Sequence, residues 1–532
     1  MWLDHCGAAC LVVLAIWILL SGLDDLFIDL VYFLRRRKSF PWPDEAELAS
    51  LAQRRIAILL PLWHEDGVAR EMLRHNRSVI RYANYDFFVG VYPNDPETVR
   101  AVRQVAVIDE RVHLAVCRHS GPTSKADCLN RAYEEMAAYE SQHGAHFEIV
   151  ITHDAEDLIH PESLLLVNWF SRAYQMVQVP VLPLPTPARE WTHGLYCDEF
   201  AEYQSKDIPV RQILGGFLAS NGVGTGYDRA ALEKLRCDHG GLLFDPECLT
   251  EDYESGFRMH AAGYRQIFLP LRPPAKGIVA TREYFPRRCG SAIRQRSRWV
   301  AGITLQGWER HGWRVPLLQV YWLWRDRKGL VGNLLSPLTN LLLLLWLAQL
   351  SATLPVAPWP ASPLPSWLRV VCLGTAGLAV LQTGVRMHLS ARFFGARFAA
   401  LAPLRIFWGN ALNSVATLEA IRLFVVARLK RHAPAWRKTE HAYPREPQHI
   451  HHRPRLGEVL VGLRYISAHE LELALPCCPR TLRLGEYLIQ QKKITEGELD
   501  RALNAQAGRP PGRSTVVQRA HAVHRNFGLD ST

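Results

Sequence analysis

The stretch ITHDAED (151–157) sets three carboxylates, Asp154, Glu156 and Asp157, within four positions, directly after the apolar run 147–151. If the segment is extended, Asp154 and Glu156 project to the same side. Two carboxylates that close repel unless one takes a proton or a cation lies between them. Oxygen-only ligands of this kind suit Mg²⁺ or Mn²⁺, usually shared with substrate phosphates. The alternative is an acidic turn capping a helix that starts near Pro161. Two more clusters lie downstream. Thr250, Glu251 and Asp252 open the helical pattern 249–264, where a threonine N-cap and first-turn acids are also ordinary helix chemistry. Gln295, Arg298 and Trp299 fall in IRQRSRWVAG (293–302), which also reads as a basic interfacial helix with an aromatic anchor.

Stepping outward from these clusters, the chain must supply a scaffold that converges them. Its 532 residues exceed one ordinary domain. Short apolar runs at 55–61, 86–92, 112–117 and 147–152 alternate with helical patterns at 67–82 and 125–140. That alternation predicts a mostly parallel sheet covered on both faces, with ligands beyond the C-terminal strand ends. ITHDAED lies at such an end.

Three stretches, 6–23, 334–356 and 367–385, approach the length of a spanning helix. The first lacks the basic n-region and cleavage site of a signal peptide. The basic run 35–38 follows it, which predicts an external N-terminus and a cytosolic block from 35 to about 330. The segment 404–429 carries Asn410, Asn413, Glu419 and Arg422, costly in lipid, and predicts an amphipathic helix or helical pair on the inner surface, leaving the C-terminus cytosolic.

The net charge of +11 is concentrated beside the spans and in the linker, so an anionic inner leaflet explains it better than nucleic acid, for which no motif exists. The eleven cysteines show no zinc spacing and are expected as reduced thiols. HIHH (449–452) reads as solvated linker.

The order of the motifs adds information that none carries alone. An acidic triplet after a strand, then TED, then Q-x-x-R-W, then spanning helices resembles the processive membrane glycosyltransferases of family 2. Within that family, GLDDLFIDLVYF, VYPND and HDAED resemble the phage-adsorption protein B type. The resemblance implies an α/β fold of the GT-A kind over 50–310, an N-terminal transmembrane anchor at 1–40, and an α-helical membrane region at 311–430. A basic linker (431–454), a small helical C-terminal domain (455–508) and a disordered tail (509–532) follow. It implies an inverting hexosyl- or N-acetylhexosaminyltransferase of the bacterial inner membrane. The donor is a UDP-linked nucleotide-sugar and the acceptor a growing exopolysaccharide. Asp154, Glu156 and Asp157 would hold Mg²⁺ or Mn²⁺, and Asp252, beside Glu251, would be the general base. Gln295, Arg298 and Trp299 would serve pyrophosphate and acceptor. Glu65, Asp95, Lys125, Asn130 and Thr250 would serve the donor pocket. GGFLASNGVGTGYDRAAL (215–232) resembles the acceptor-side loop. An outer-membrane export or phage-receptor protein is an implied partner. The competing reading is a receptor or secretion scaffold with a degenerate transferase domain.

A repeat closes the chain. RLGEVLVGLRYISAHELELAL begins at Arg455 and RLGEYLIQQKKITEGELDRAL at Arg483, 28 residues later. Each copy reads as helix, turn, helix. The pair resembles the MshEN domain, which binds cyclic di-GMP. That implies phosphate or guanine contacts by Arg455 and Arg483, whose planar forks suit them. Leu456, Gly457, Leu460, Leu484, Gly485 and Leu488 would meet the purines or allow close approach. Arg464, Lys492 and Cys478 depart from the pattern.

Overall fold

The computed structural model describes residues 2–35, 40–238, 240–271, 278–351, 365–430, 443–444, 456–463, 465–479 and 482–506. Arg36 to Lys38 of the basic run, most of the linker with its HIHH, Arg455, Arg464 and the tail lie outside the described residues. The chain divides into two units, Met1–Arg445 and Glu446–Thr532.

The first unit is built on a seven-stranded sheet of order β3-β2-β1-β4-β6-β5-β7. Its strands are β1 (Ile56–Pro61), β2 (Tyr85–Val91), β3 (Val112–Val116), β4 (Ile149–Thr152), β5 (Met176–Gln178), β6 (Thr225–Asp228) and β7 (Gln266–Phe268). Side chains alternate between two cores. Ile56, Ile58 and Leu60 enter one, Ala57 and Leu59 the other, and Ile149 and Ile151 are likewise split from Val150. Both faces are thereby buried, which is why these strands read as unbroken apolar runs.

β1 to β4 are parallel, with Leu59 beside both Phe88 and Thr152, so their C-terminal ends share one edge. β6 departs from the expected parallel order. It runs antiparallel between β4 and β5, pairing Thr225 with Thr152. Reversal places the loop before β6 beside the loop after β4, and Gly224 N–H donates to Thr152 O at 2.9 Å. The acidic segment and the glycine-rich loop meet for that reason.

Three stretches, Leu11–Arg35, Leu317–Leu345 and Ser366–Phe394, are long and apolar enough to cross a membrane. The segment expected as an interfacial helix or pair is a single helix, Ala402–Lys430. Its buried stripe, Ala402, Arg405, Gly409, Leu412, Ala416 and Ala420, faces protein, not water. Several of its polar groups are bound inside the unit, Asn410 to Asn340 at 3.0 Å, Asn413 to Arg296 at 2.7 Å and Arg405 to Asp198 at 2.6 Å, whereas Glu419 and Arg422 pair with each other at the surface. A single helix is within the expectation, and it is not among the stretches long and apolar enough to cross a membrane.

The second unit holds two helix pairs, Leu456–Gly462 with Ala468–Cys477 and Leu484–Gln490 with Glu496–Gln506. Ser467 and Glu470 cap the second helix of one copy reciprocally, and Thr495 and Glu498 do the same in the other.

Candidate active site

The acidic segment is held from behind. Asp157 is fully buried; its Oδ2 accepts from Asp154 N–H at 2.9 Å and lies 2.7 Å from His153 Nδ1. Asn76, on the helix Asp66–Val79, donates to Asp157 O at 2.8 Å and accepts from Ile159 N–H at 2.9 Å. Asp157 thus braces the turn, and Asp154 and Glu156 are the two that line the adjoining cavity. This cavity, about 820 Å³, is within the usual range for a ligand site.

Opposite the turn, Lys125 begins the helix Lys125–His143. Its Nζ lies 2.7 Å from Asp154 Oδ1 and 3.7 Å from Glu251 Oε1. Burial works against the ammonium, but Asp154, Glu251 and Asp252 hold its pKa above the usual lysine range. The lysine therefore ties the acidic turn to the TED segment.

Glu251 and Asp252 open the helix Glu251–Ala261. Burial lifts the Glu251 carboxyl to about 7, against the pull of Lys125, and raises Asp252 as well. Asp252 Oδ1 accepts from Tyr253 N–H at 2.7 Å. Asp252 Oδ2 faces Gly222, where a Cβ would come within 2.7 Å. Thr250 stands at the N-cap position without capping by its side chain, and its Oγ1 is buried without a partner. Gln295, Arg298 and Trp299 share the helix Cys289–Trp299, and a π-helical stretch, Val300–Gln306, follows at once. Trp299 packs edge-on against Tyr196 at 6.2 Å.

Of the residues expected at the site, Glu65, Lys125, Asp154, Glu156, Thr250, Asp252, Gln295, Arg298 and Trp299 all line the cavity. Others have structural work. Asp95 is the N-cap of the helix Pro96–Ala106 and accepts from His64 N–H at 2.6 Å, fixing the loop after β1. Asn130 is bound to both backbone groups of Phe244, at 2.7 and 2.9 Å, inside the second core. Glu251 reaches the site through Lys125. Two contributors carry no sequence signal, Asn76 and Glu283, the latter a buried carboxylate lining the same cavity. Among the described residues no three His, Cys, Asp or Glu side chains converge to hold an ion unaided. The donor set still fits a hard cation: Asp154, Glu156 and Glu283 face the cavity with Lys125 as the cation beside Asp154.

In the second unit the leucines expected against purines are core. Leu460 and Leu488 are fully buried with Val459, Ile466 and Ile494. A Cβ on Gly457 would meet Leu471 Cδ1 at 2.6 Å, and one on Gly485 would meet Leu499 Cδ1 at 2.6 Å. These glycines admit a leucine of the following helix, and so serve helix packing. Leu456 and Leu484 are half-buried against the same core, while Arg483 is exposed.

Residues 53–302 match the family model described as glycosyltransferase like family 2. The chain belongs to the family of bacteriophage adsorption protein B. It is 37% identical over 530 residues to the Escherichia coli K12 protein of that name, covering 93% of this chain and 70% of the relative. The same figures hold for bacteriophage N4 adsorption protein B of Escherichia coli O157:H7. The mannosyltransferase PcManGT of Pyrobaculum calidifontis, solved with GDP-Man and Mn²⁺, aligns at a TM-score of 0.46 and 17% identity, covering 76% of this chain and 99% of that one.

Proposed function

We propose that the protein is an inner-membrane inverting glycosyltransferase that moves a hexose or N-acetylhexosamine from a UDP-linked donor to a growing exopolysaccharide. The observation that carries this reading is one cavity lined by Asp154, Glu156 and Lys125, by Asp252 beside the Gly222 loop, and by Gln295, Arg298 and Trp299. Asp154 and Glu156 would hold a Mg²⁺ or Mn²⁺ ion, which would supply charge neutralisation for the donor diphosphate. Lys125 and Arg298 add fixed positive charge at that end. Asp252 takes the proton from the acceptor hydroxyl on Oδ2; its burial makes it a stronger base than an exposed carboxylate. Trp299 offers a ring face to the acceptor sugar, and Glu251 tunes the position of Lys125. Asp157 is assigned to bracing the turn, and Asp95 to the loop that receives the nucleoside.

The three apolar helices support a multi-pass membrane protein, and the basic residues beside them support cytosolic placement of both units. The second unit is assigned to cyclic di-GMP; its repeat and the exposed Arg483 support this, with the arginines, not the buried leucines, as the contacts. The names of the relatives favour a further role in phage adsorption, with an outer-membrane partner. Purified membranes supplied with labelled UDP-sugars, with and without cyclic di-GMP, should build labelled polymer from one donor and more of it with the dinucleotide. No incorporation from any UDP-sugar would contradict the enzymatic reading.

A further inference from the structure

Glu283 belongs to no motif of the sequence, yet the fold delivers it to the acidic turn. Arg282 pairs antiparallel with Leu158, just past that turn, through bonds of 2.8 and 3.1 Å. Glu283 O accepts from Leu184 N–H at 2.9 Å. The backbone is thus pinned on both sides. The Arg282 guanidinium is committed to Leu182 O at 2.7 Å and Pro183 O at 3.0 Å and forms no ion pair with its neighbour.

The Glu283 side chain is 9% exposed, lines the cavity with Asp154 and Glu156, and forms no hydrogen bond or ion pair with any described residue. Its strongest charged neighbours are Asp157, Glu156 and Asp154, with Lys125 fourth. Lys125 is already committed to Asp154. Asp157 Oδ1 is also buried without a partner. An unpaired carboxylate is expensive to bury, and placing it against three others is more so. Burial and the three neighbouring carboxylates push the Glu283 carboxyl well above its usual range, so it is relieved either by a proton or by positive charge in the cavity beyond what Lys125 brings. Among the described residues no three acidic side chains converge to ligate an ion directly, which suits the fourth carboxylate to a role at one remove. Hard cations such as Mg²⁺ keep several waters, which carboxylates outside the ligand set can orient.

We propose that Glu283 is a positioning residue of the donor cation: from a chain segment remote from the acidic turn, it accepts a hydrogen bond from a water of an ion held by Asp154 and Glu156. This rests on the glycosyltransferase reading of the site. The test is Mn²⁺ binding to the full-length protein in detergent, followed by electron paramagnetic resonance with Mn²⁺ alone and with Mn²⁺ plus UDP. Glu283→Gln should weaken Mn²⁺ about 10- to 100-fold, as loss of outer-shell partners does. Glu283→Asp should recover part of the loss. The melting temperature of the metal-free Glu283→Gln protein should not fall, since a neutral amide replaces a carboxyl that burial and its acidic neighbours already favour in the neutral form. A folded Glu283→Gln with parental Mn²⁺ affinity, while Asp154→Asn loses binding, overturns the role of Glu283 alone. A parent protein that binds no Mn²⁺ in either condition overturns the cation reading and this inference with it.

Discussion

Gly222 offers a perturbation that separates folding from chemistry. Its φ of +78° lies in the left-handed region, and its added Cβ would sit 2.7 Å from Asp252 Oδ2 and 3.4 Å from Asp252 Cγ. Gly222→Ala therefore has two effects. Left-handed backbone on an L-residue costs about 1–2 kcal/mol. The methyl also drives the carboxylate away by a fraction of an ångström, which a flexible side chain allows cheaply but a general base does not. Misplacement on the order of 1 Å can cost about 10²-fold in rate. Gly263 is the matched control: φ is +81° and nothing lies within 4 Å of its Cβ. Both alanine variants should lose similar stability in denaturant titrations of the purified protein. Below the melting range, Gly263→Ala should transfer sugar at the parental rate and Gly222→Ala about 10²-fold more slowly. Equal turnover in the two variants would refute the placement of Asp252 as base against this loop.

Three other outcomes follow from the packing. Burial raises Glu251 from its usual value of 4.5 to about 7, so the stability it lends is complete below 4.5 and lost as pH rises through 7. The loss amounts to roughly 3 kcal/mol at most, and Glu251→Gln should abolish that pH dependence in unfolding at pH 5 and pH 8. Arg405 and Asp198, each 1% exposed, tie the helix Trp191–Glu202 to Ala402–Lys430. Arg405→Met should cost about 3–5 kcal/mol by thermal denaturation, with much of it regained by adding Asp198→Asn. In the second unit, Gly485→Ala should cost about 1–3 kcal/mol through collision with Leu499, read as a lower melting transition of that unit.

The four parallel strands and the helices between them were legible because burial on both faces leaves a plain apolar run of strand length. β6 was not: Thr225–Asp228 is four residues with a glycine inside, and its antiparallel placement comes from contacts with Thr152 and Gln178 on two other strands. Among site residues, those in compact motifs, Asp154, Glu156, Thr250, Asp252, Gln295, Arg298 and Trp299, converge on one cavity. Motif spacing could not separate the braces from the groups that face the cavity. Asp157 and Glu156 are adjacent carboxylates that one turn directs differently, and Asp95 and Asn130 are taken up by backbone partners 31 and 114 residues away. Glu283 lay in an irregular segment with no periodicity to expose it. Gly457 and Gly485 of the repeat each admit a leucine of the following helix, and sequence alone cannot show which one.

The proposed function places sugar transfer in one cavity with Asp252 as base. Its most direct test is label incorporation from UDP-sugars by membranes carrying Asp252→Asn at parental protein level. The account predicts polymer synthesis lost by at least about 10²-fold, with Mn²⁺ and UDP still bound. Undiminished polymer from the Asp252→Asn protein would contradict it.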